Sequence, residues 1–208
     1  MRKLPLLILG SASLAVVLTI LFVYLAIMSP RRDFERFLKQ VATVEIGKTM
    51  LEDWRGQVVR AQISNLVFTC QQQDCGVGMR AENKLLYKLR LAPRSGVDAS
   101  VRFKNGIASE IYIIFVIAGK NDKGEWYDDR GIVVQQSIDQ PGACHPHYGL
   151  LVKNRNGVGD RYWARVSMDS CVTPEERAKA LAINSVCLTM LGGCKTVEAI
   201  IPQVFAGP

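Results

Sequence analysis

The chain has 208 residues, of which 26 are lysine or arginine, 19 are aspartate or glutamate and two are histidine, giving a formal net charge of +7. No block of five like charges occurs, so the composition argues against a basic tract of the kind that binds nucleic acid. We therefore expect no specific nucleic-acid binding. The two histidines also limit any catalysis that uses histidine as a base to those two side chains.

Residues 4–29 carry no formal charge and follow a short basic tail at residues 1–3. A hydrocarbon core about 30 Å thick needs roughly 20 apolar helical residues, so this run is long enough to span a membrane. A cleaved signal sequence has a shorter apolar region, of about 7 to 15 residues, and small residues before its cleavage site. No suitable pair of small residues ends this run, and no cysteine lies near it for lipid attachment. The sequence therefore predicts a transmembrane signal-anchor helix, in preference to a cleaved signal or a buried core helix.

The orientation of this anchor is subject to two opposing arguments. The basic residues that flank it are Arg2 and Lys3 on one side, and Arg31, Arg32, Arg36 and Lys39 on the other. The positive-inside rule alone would keep the C-terminal bulk in the cytoplasm. However, all six cysteines lie beyond the anchor, and long domains translocate largely regardless of flanking charge. We expect a single-pass membrane protein whose C-terminal domain is periplasmic or otherwise extracytoplasmic.

Residues 30–48 are predicted to form a juxtamembrane amphipathic helix or linker. Phe34, Phe37 and Val41 recur there at the three-and-four spacing of one helix face. Pro30 is expected to break or bend the chain at the start of this segment, because proline disrupts a helix interior.

A second helix is predicted over residues 49–62. The sequence Thr49-Met50-Leu51-Glu52 has the pattern of a capping box, which satisfies free backbone amides at a helix start. Trp54, Val58 and Val59 are expected to face the core, with the tryptophan in a packing role.

Beyond residue 63 the apolar pattern changes from helical to alternating, which predicts a series of strands. The predicted strands are residues 63–69, 84–91, 97–104, 111–118, 132–137, 148–154 and 161–167. Asn105-Gly106 predicts a two-residue hairpin turn, and residues 155–159 predict a second hairpin connection. Residues 111–118 are apolar on both faces, which suits a central strand covered by helices on one side.

The last predicted helix begins at Thr173-Pro174-Glu175-Glu176, which combines an N-cap, a proline at the first helical position and a capping-box glutamate. Gly192-Gly193 is expected to end it, and residues 200–205 to add an edge strand. This order of elements is typical of an α+β fold rather than of alternating strands and helices. We predict an α+β domain at residues 49–208, with an antiparallel sheet packed by two or three helices and bridged by disulfides.

The cysteines suggest structural bridges. The six candidates are Cys70, Cys75, Cys144, Cys171, Cys187 and Cys194. The first two and the last two are close enough in sequence for local bridges, which leaves the middle two to pair across the sheet. Six cysteines allow fifteen connectivities, and their sequence alone selects none of them. Zinc binding is the competing use, but only Cys70 and Cys75 have the Cys-x2-4-Cys spacing of zinc sites, and no second such pair accompanies them.

The sequence Cys144-His145-Pro146-His147 brings both histidines within three residues. In an extended segment, His145 and His147 point to the same side, an arrangement that zinc or copper ions use. Asp139 or Asp169 is a candidate further ligand. The competing interpretation is a turn, because a Pro-Gly pair precedes the motif and a proline separates the histidines.

No catalytic motif was found: the chain lacks a nucleophile elbow, a phosphate-binding loop, a dinucleotide fingerprint and a zinc-protease helix. The acidic residues between 122 and 129 are interpreted as a solvated hairpin tip. The preferred hypothesis is a noncatalytic, membrane-anchored interaction or assembly domain with a protein partner in the cell envelope, and no cofactor is predicted for it. The alternative is a small membrane-anchored metalloprotein or hydrolase that uses His145 and His147.

Overall fold

The computed structural model describes residues 4–120, 126–138, 144–154 and 160–202. Within these ranges it has five α-helices, a short 3-10 helix and seven strands. The helices are α1 (Leu4–Ala42), α2 (Leu51–Arg60), α3 (Lys84–Lys88), α4 (Pro174–Ala180) and α5 (Val197–Ile200), and the 3-10 helix is Ser185–Leu188. The strands are β1 (Leu66–Gln71), β2 (Asp74–Glu82), β3 (Ser95–Lys104), β4 (Ile107–Lys120), β5 (Trp126–Ser137), β6 (His147–Asn154) and β7 (Asp160–Met168).

The first helix joins the apolar N-terminal run to the rest of the protein. Its stretch Leu14–Ala42 is long and apolar enough to cross a membrane, and none of its most apolar window is buried in the protein. The predicted break at Pro30 is absent, because α1 continues through this residue to Ala42. The membrane candidate and the domain thus share one helix.

The carboxyl-terminal part of α1 belongs to the hydrophobic core. Phe34, Phe37 and Val41 are fully buried and join the same cluster as the sheet residues. Trp54 on α2 packs edge-on against Phe37, with ring centroids 6.1 Å apart, and donates from its indole nitrogen to the carbonyl of Gln40 at 3.0 Å. The segment predicted as a juxtamembrane helix therefore supplies core side chains.

The seven described strands form one sheet in the order β1-β2-β3-β4-β5-β7-β6. Neighbouring strands are antiparallel except β5 and β7, which run parallel, so the sheet is mixed rather than antiparallel throughout. A parallel pair needs a long connection, and here that connection contains β6, which lies at the sheet edge. The α+β class is confirmed.

The predicted turn between β3 and β4 is confirmed. Asn105 and Gly106 both have positive φ angles, of 54° and 77°. A two-residue turn of this kind matches the twist of the strands that it joins, and asparagine and glycine adopt it with little strain.

The strand predicted at residues 84–91 is wrong, because this segment contains α3. The strands on either side of it, β2 and β3, pair directly with each other, so the intervening residues leave the sheet. Asn83 stabilises this excursion: its amide nitrogen donates to the carbonyl of Pro93 at 2.7 Å, and its amide oxygen accepts from the backbone of Ser95 at 2.9 Å. The run of good helix formers then closes one turn, which buries Leu86.

Two predictions for α2 also need correction, its first residue and the side chains on its core face. Met50, not Thr49, precedes α2, and the hydroxyl of Thr49 instead accepts a hydrogen bond from the backbone of Glu45 at 2.7 Å. Val59 is 57% exposed rather than part of the core face.

At the C-terminal end the capping box at Thr173 is confirmed, but α4 ends at Ala180, well before the double glycine. Asn184 then caps the 3-10 helix by accepting from the backbone of Val186 at 3.2 Å. The edge strand expected at residues 200–205 is absent from its described part, because Ile200 ends α5; residues 203–205 lie outside the described ranges.

The described helices lie in one layer on one face of the sheet. Helix α1 contacts β2, α2, α3, α4 and the 3-10 helix, and α5 contacts β5 and β7. The side chains between this layer and the sheet form the core: alternate residues of β2, β3, β4, β5 and β7 join it. The residues that alternate with them point to the other face.

Candidate functional site

The six cysteines form three pairs at disulfide distance, and none is free. The Cα atoms are 4.1 Å apart in Cys70–Cys75, 5.0 Å in Cys144–Cys171 and 5.0 Å in Cys187–Cys194. Two of these are the local pairs that sequence proximity favours, and the third joins the two cysteines that remain. A cysteine in such a bridge has no thiolate to act as a nucleophile.

The two histidines have different surroundings. His145 Nδ1 lies 2.6 Å from Glu176 Oε1, on the first turn of α4. This contact, together with a hydrogen bond from the Thr173 hydroxyl, holds the pKa of the Glu176 carboxyl below its ordinary value. His147 is the first residue of β6 and is exposed.

Among the described residues, one cluster brings three potential metal-ligand atoms within 4.8 Å of one another: Cys144, Asp169 and Cys171. Two of these atoms are the sulfurs of a bridged pair, whereas zinc binds thiolates. Asp169 Oδ1 already accepts from the backbone N–H of Cys171 at 3.0 Å. Neither histidine belongs to this cluster, and Asp139 lies outside the described residues. Zinc or copper at the histidine pair stays a prediction.

The acidic segment is only partly described. Residues 121–125, which include Asp122 and Glu125, lie outside the described ranges, while Asp128 and Asp129 fall within β5. Its interpretation as a solvated hairpin tip stays a prediction.

The face of the sheet opposite the helices forms a broad surface, which we call the open face. Strand register places its residues in three rows across β3, β4, β5 and β7. The rows are Ser100, Tyr112, Gln135 and Ser167; Asp98, Ile114, Val133 and Arg165; and Gly96, Val116, Gly131 and Trp163. None of these residues belongs to the hydrophobic core cluster.

A chain of polar side chains crosses the open face diagonally. Arg102 on β3 forms an ion pair with Glu110 on β4 at 3.0 Å. Gln135 on β5 donates to the other oxygen of Glu110 at 2.8 Å and accepts from Arg165 on β7 at 3.0 Å. This series of polar side chains therefore begins and ends with an arginine. Within the described structure, the Nε of Arg165 is buried and makes no hydrogen bond.

An apolar patch lies beside this polar chain. It consists of Ile114, Val116, Val133 and Trp163, all half-buried. Glycine is needed at position 131, because a Cβ there would collide with the backbone carbonyl of Phe115 and would lie 3.0 Å from the ring of Trp163. The absent side chain thus lets the tryptophan lie over the backbone of β5.

The far side of the patch carries charge again. Arg80 Nε lies 3.6 Å from Asp98 Oδ1 and 2.7 Å from Glu82 Oε1. Burial raises the pKa of the Asp98 carboxyl; Arg80 acts to lower this pKa and Glu82 to raise it, and the net direction is upward. The open face is therefore an apolar centre with charged groups of both signs on two sides.

Sequence reasoning did not identify the open face as a site. One signal for it was present, because residues 111–118 are apolar on both faces although helices are available to cover only one. The rows themselves depend on strand order and register, which local patterns do not encode. No family model matches this chain, and no curated protein or solved structure matches it either.

Proposed function

We propose that the protein is a noncatalytic, membrane-anchored interaction or assembly subunit whose C-terminal domain lies outside the cytoplasm and binds another envelope protein. The observation that carries this proposal is the open face. It presents an apolar centre between charged side chains, and among the described residues all helices lie on the opposite side of the sheet. Protein interfaces have this anatomy, with an apolar core and a polar rim.

Membrane anchorage is supported by the surface of α1. Apart from the half-buried Val23, its large apolar side chains between Leu14 and Leu25 are 46% to 72% exposed. Burying a side chain of this size is worth roughly 1.5 to 3 kcal/mol, so a row of them in water is strongly unfavourable. A hydrocarbon environment removes that cost.

Export of the domain is supported by the three cysteine pairs. Disulfides persist in oxidising compartments and are rare where glutathione and thioredoxin keep thiols reduced. Protease protection of the full chain in sealed vesicles tests the orientation: an exported domain is cleaved only from the extracytoplasmic side. Cleavage from the cytoplasmic side would contradict it.

The binding surface is tested by photo-crosslinking in membranes. A benzophenone amino acid replaces Ile114 or Val133 on the open face, and Arg60 on α2 serves as the exposed control. Both open-face positions are expected to crosslink to the same protein, while the control does not.

A second variant tests whether the contact is specific. Arg165→Glu reverses a charge at the edge of the apolar patch and breaks its bond to Gln135, so it should weaken crosslinking from Val133. Equal crosslinking from Arg60 and the open face, or no effect of Arg165→Glu, would contradict the proposal.

A further inference from the structure

A cavity of about 630 Å³ lies where the anchor helix meets the domain; we call it the membrane-proximal cavity. Ala26, Ile27, Pro30 and Asp33 of α1 line one side of it. The opposite side is formed by the start of β1, the end of β2 and the start of α3, including Lys84. The cavity therefore combines residues of the apolar segment with residues of the domain.

The position of Asp33 along α1 matches the depth of lipid headgroups. The uncharged run ends at Ser29, and Asp33 follows four residues later. At 1.5 Å per helical residue, this places Asp33 about 6 Å beyond the end of the run. The polar layer on each side of a bilayer is about 5 to 7 Å thick. Ala26 and Ile27 then lie at the hydrocarbon edge, and Asp33 lies among headgroups.

Asp33 lacks a full set of partners. It is only 5% exposed, and its Oδ2 is buried without a hydrogen bond in the described structure. The nearest cation is Arg36, whose Nη1 is 3.9 Å from Oδ1, beyond hydrogen-bond distance. A buried carboxylate oxygen without a donor is costly. The terminal torsion of aspartate is broad, so a small rotation brings either oxygen to a donor in the cavity.

The chemistry of the cavity selects among possible occupants. Two carboxylates line the cavity, but Glu82 is already paired with Arg80 at 2.7 Å. Asp33 alone is too little for a calcium or magnesium ion, which takes six or more oxygen ligands. An ammonium group needs only a carboxylate that accepts its N–H. The exposed amine of Lys84, at the same cavity, suits a phosphate, and the walls from α1 suit acyl chains.

We propose that the membrane-proximal cavity binds the headgroup of a phospholipid that carries a primary ammonium group, with the ammonium on Asp33 and the phosphate on Lys84. This inference rests on the membrane anchorage in the proposed function. A trimethylated ammonium has no N–H and leaves Asp33 without a donor. The site therefore distinguishes ethanolamine from choline headgroups by hydrogen bonding rather than by charge.

The experiment uses the full chain in lipid nanodiscs, with retained lipid measured by native mass spectrometry. Equal amounts of phosphatidylethanolamine and phosphatidylcholine with identical acyl chains are offered together. We expect about tenfold preferential retention of phosphatidylethanolamine, the ratio that one charge-assisted hydrogen bond supports. Mono- and dimethylated headgroups should show a stepwise loss of preference as N–H groups are replaced.

Asp33→Asn should weaken the preference strongly, because it removes the negative charge and replaces one of the two acceptor oxygens with a donor. Asp53→Asn on α2 is the matched control, since Asp53 is exposed and away from the cavity. Equal retention of the two lipids by the native chain, or an unchanged preference in Asp33→Asn, would overturn the inference. If Asp33→Asn misfolds, the series of methylated headgroups still tests the inference, because it is measured on the native chain.

Anchorage is measured separately by alkaline extraction of the native chain from membranes. A chain that resists extraction but shows no lipid preference disproves only the headgroup site. A chain that is extracted disproves the anchorage as well, and the headgroup site with it.

Discussion

The hydroxyl of Ser185 lies 2.5 Å from Oε1 of Glu35, although 150 residues separate them in sequence. Glu35 lies on α1 just beyond the apolar run, and Ser185 begins the 3-10 helix near the end of the chain. The same carboxylate oxygen accepts from Arg31 at 2.7 Å. The C-terminal part of α1 is thus tied to the C-terminal part of the domain.

A truncated chain of residues 31–208 should fold, whereas residues 49–208 should not. The shorter chain loses Phe34, Phe37 and Val41, which are fully buried. Each such burial is worth roughly 1.5 to 3 kcal/mol, and the sum rivals the total stability of a domain, about 5 to 15 kcal/mol. Thermal unfolding followed by circular dichroism should be cooperative only for residues 31–208.

A graded variant checks this reasoning without removing a segment. Phe37→Ala in the 31–208 chain should lower the free energy of unfolding by about 3 to 5 kcal/mol. Cooperative unfolding of residues 49–208 at a similar midpoint would show that α1 contributes little to the core.

Trp54 should be the most sensitive single position on α2. Its ring packs between Phe37 and Phe103, the latter with centroids 5.6 Å apart, and its indole N–H bonds to Gln40. Trp54→Ala should lower the free energy of unfolding by about 3 to 5 kcal/mol. Trp54→Phe keeps an aromatic ring but leaves the Gln40 carbonyl without this donor, so its loss should be smaller. Urea titration measures both, and similar losses would show that the hydrogen bond dominates.

Much of the fold is encoded locally. Asn105-Gly106 specifies a turn through positive φ angles, and Thr173-Pro174-Glu175-Glu176 specifies a helix start through capping, so both were predictable. The alternation of apolar residues at positions 84–91 led to a wrong prediction of a strand, because a short apolar run fits a strand or one helical turn equally well. The secondary structure of this segment is decided by the direct pairing of β2 with β3, a contact outside the segment itself.

The functional surfaces were less predictable for the same reason. The open face exists because β7 inserts beside β5 and brings Arg165 next to Gln135, and no local pattern contains that strand order. Asp33 is one charged residue among several that follow the apolar run in the sequence. Only its burial and the missing partner of its Oδ2 distinguish it.

The bridge between Cys144 and Cys171 should stabilise the domain most among the three. Its sequence separation is 27 residues, against 5 for Cys70–Cys75 and 7 for Cys187–Cys194. Loop-closure entropy then gives about 3.6 kcal/mol for the longest loop and about 2.2 kcal/mol for the shortest. Double alanine variants of each pair, titrated with urea without reductant, should follow this order. Equal losses would show that loop entropy does not control their effect.

Acidification should weaken the contact between Glu176 and His145. The pKa of Glu176 is lowered from 4.5 mainly by His145, with Thr173 contributing. A carboxyl whose pKa is lower in the folded state stabilises the fold at pH values above its pKa in the unfolded state. This contribution is lost as the pH falls through the folded pKa.

Glu176→Gln keeps the capping-box pattern but removes the charge. It should lower the thermal midpoint at pH 7, and the midpoints of native and variant chains should converge as the pH falls well below 4.5. Glu175→Gln, on the same turn, is the control and should leave the native pH dependence intact. A constant difference between native and Glu176→Gln chains over the whole pH range would show that the Glu176 charge does not stabilise the fold.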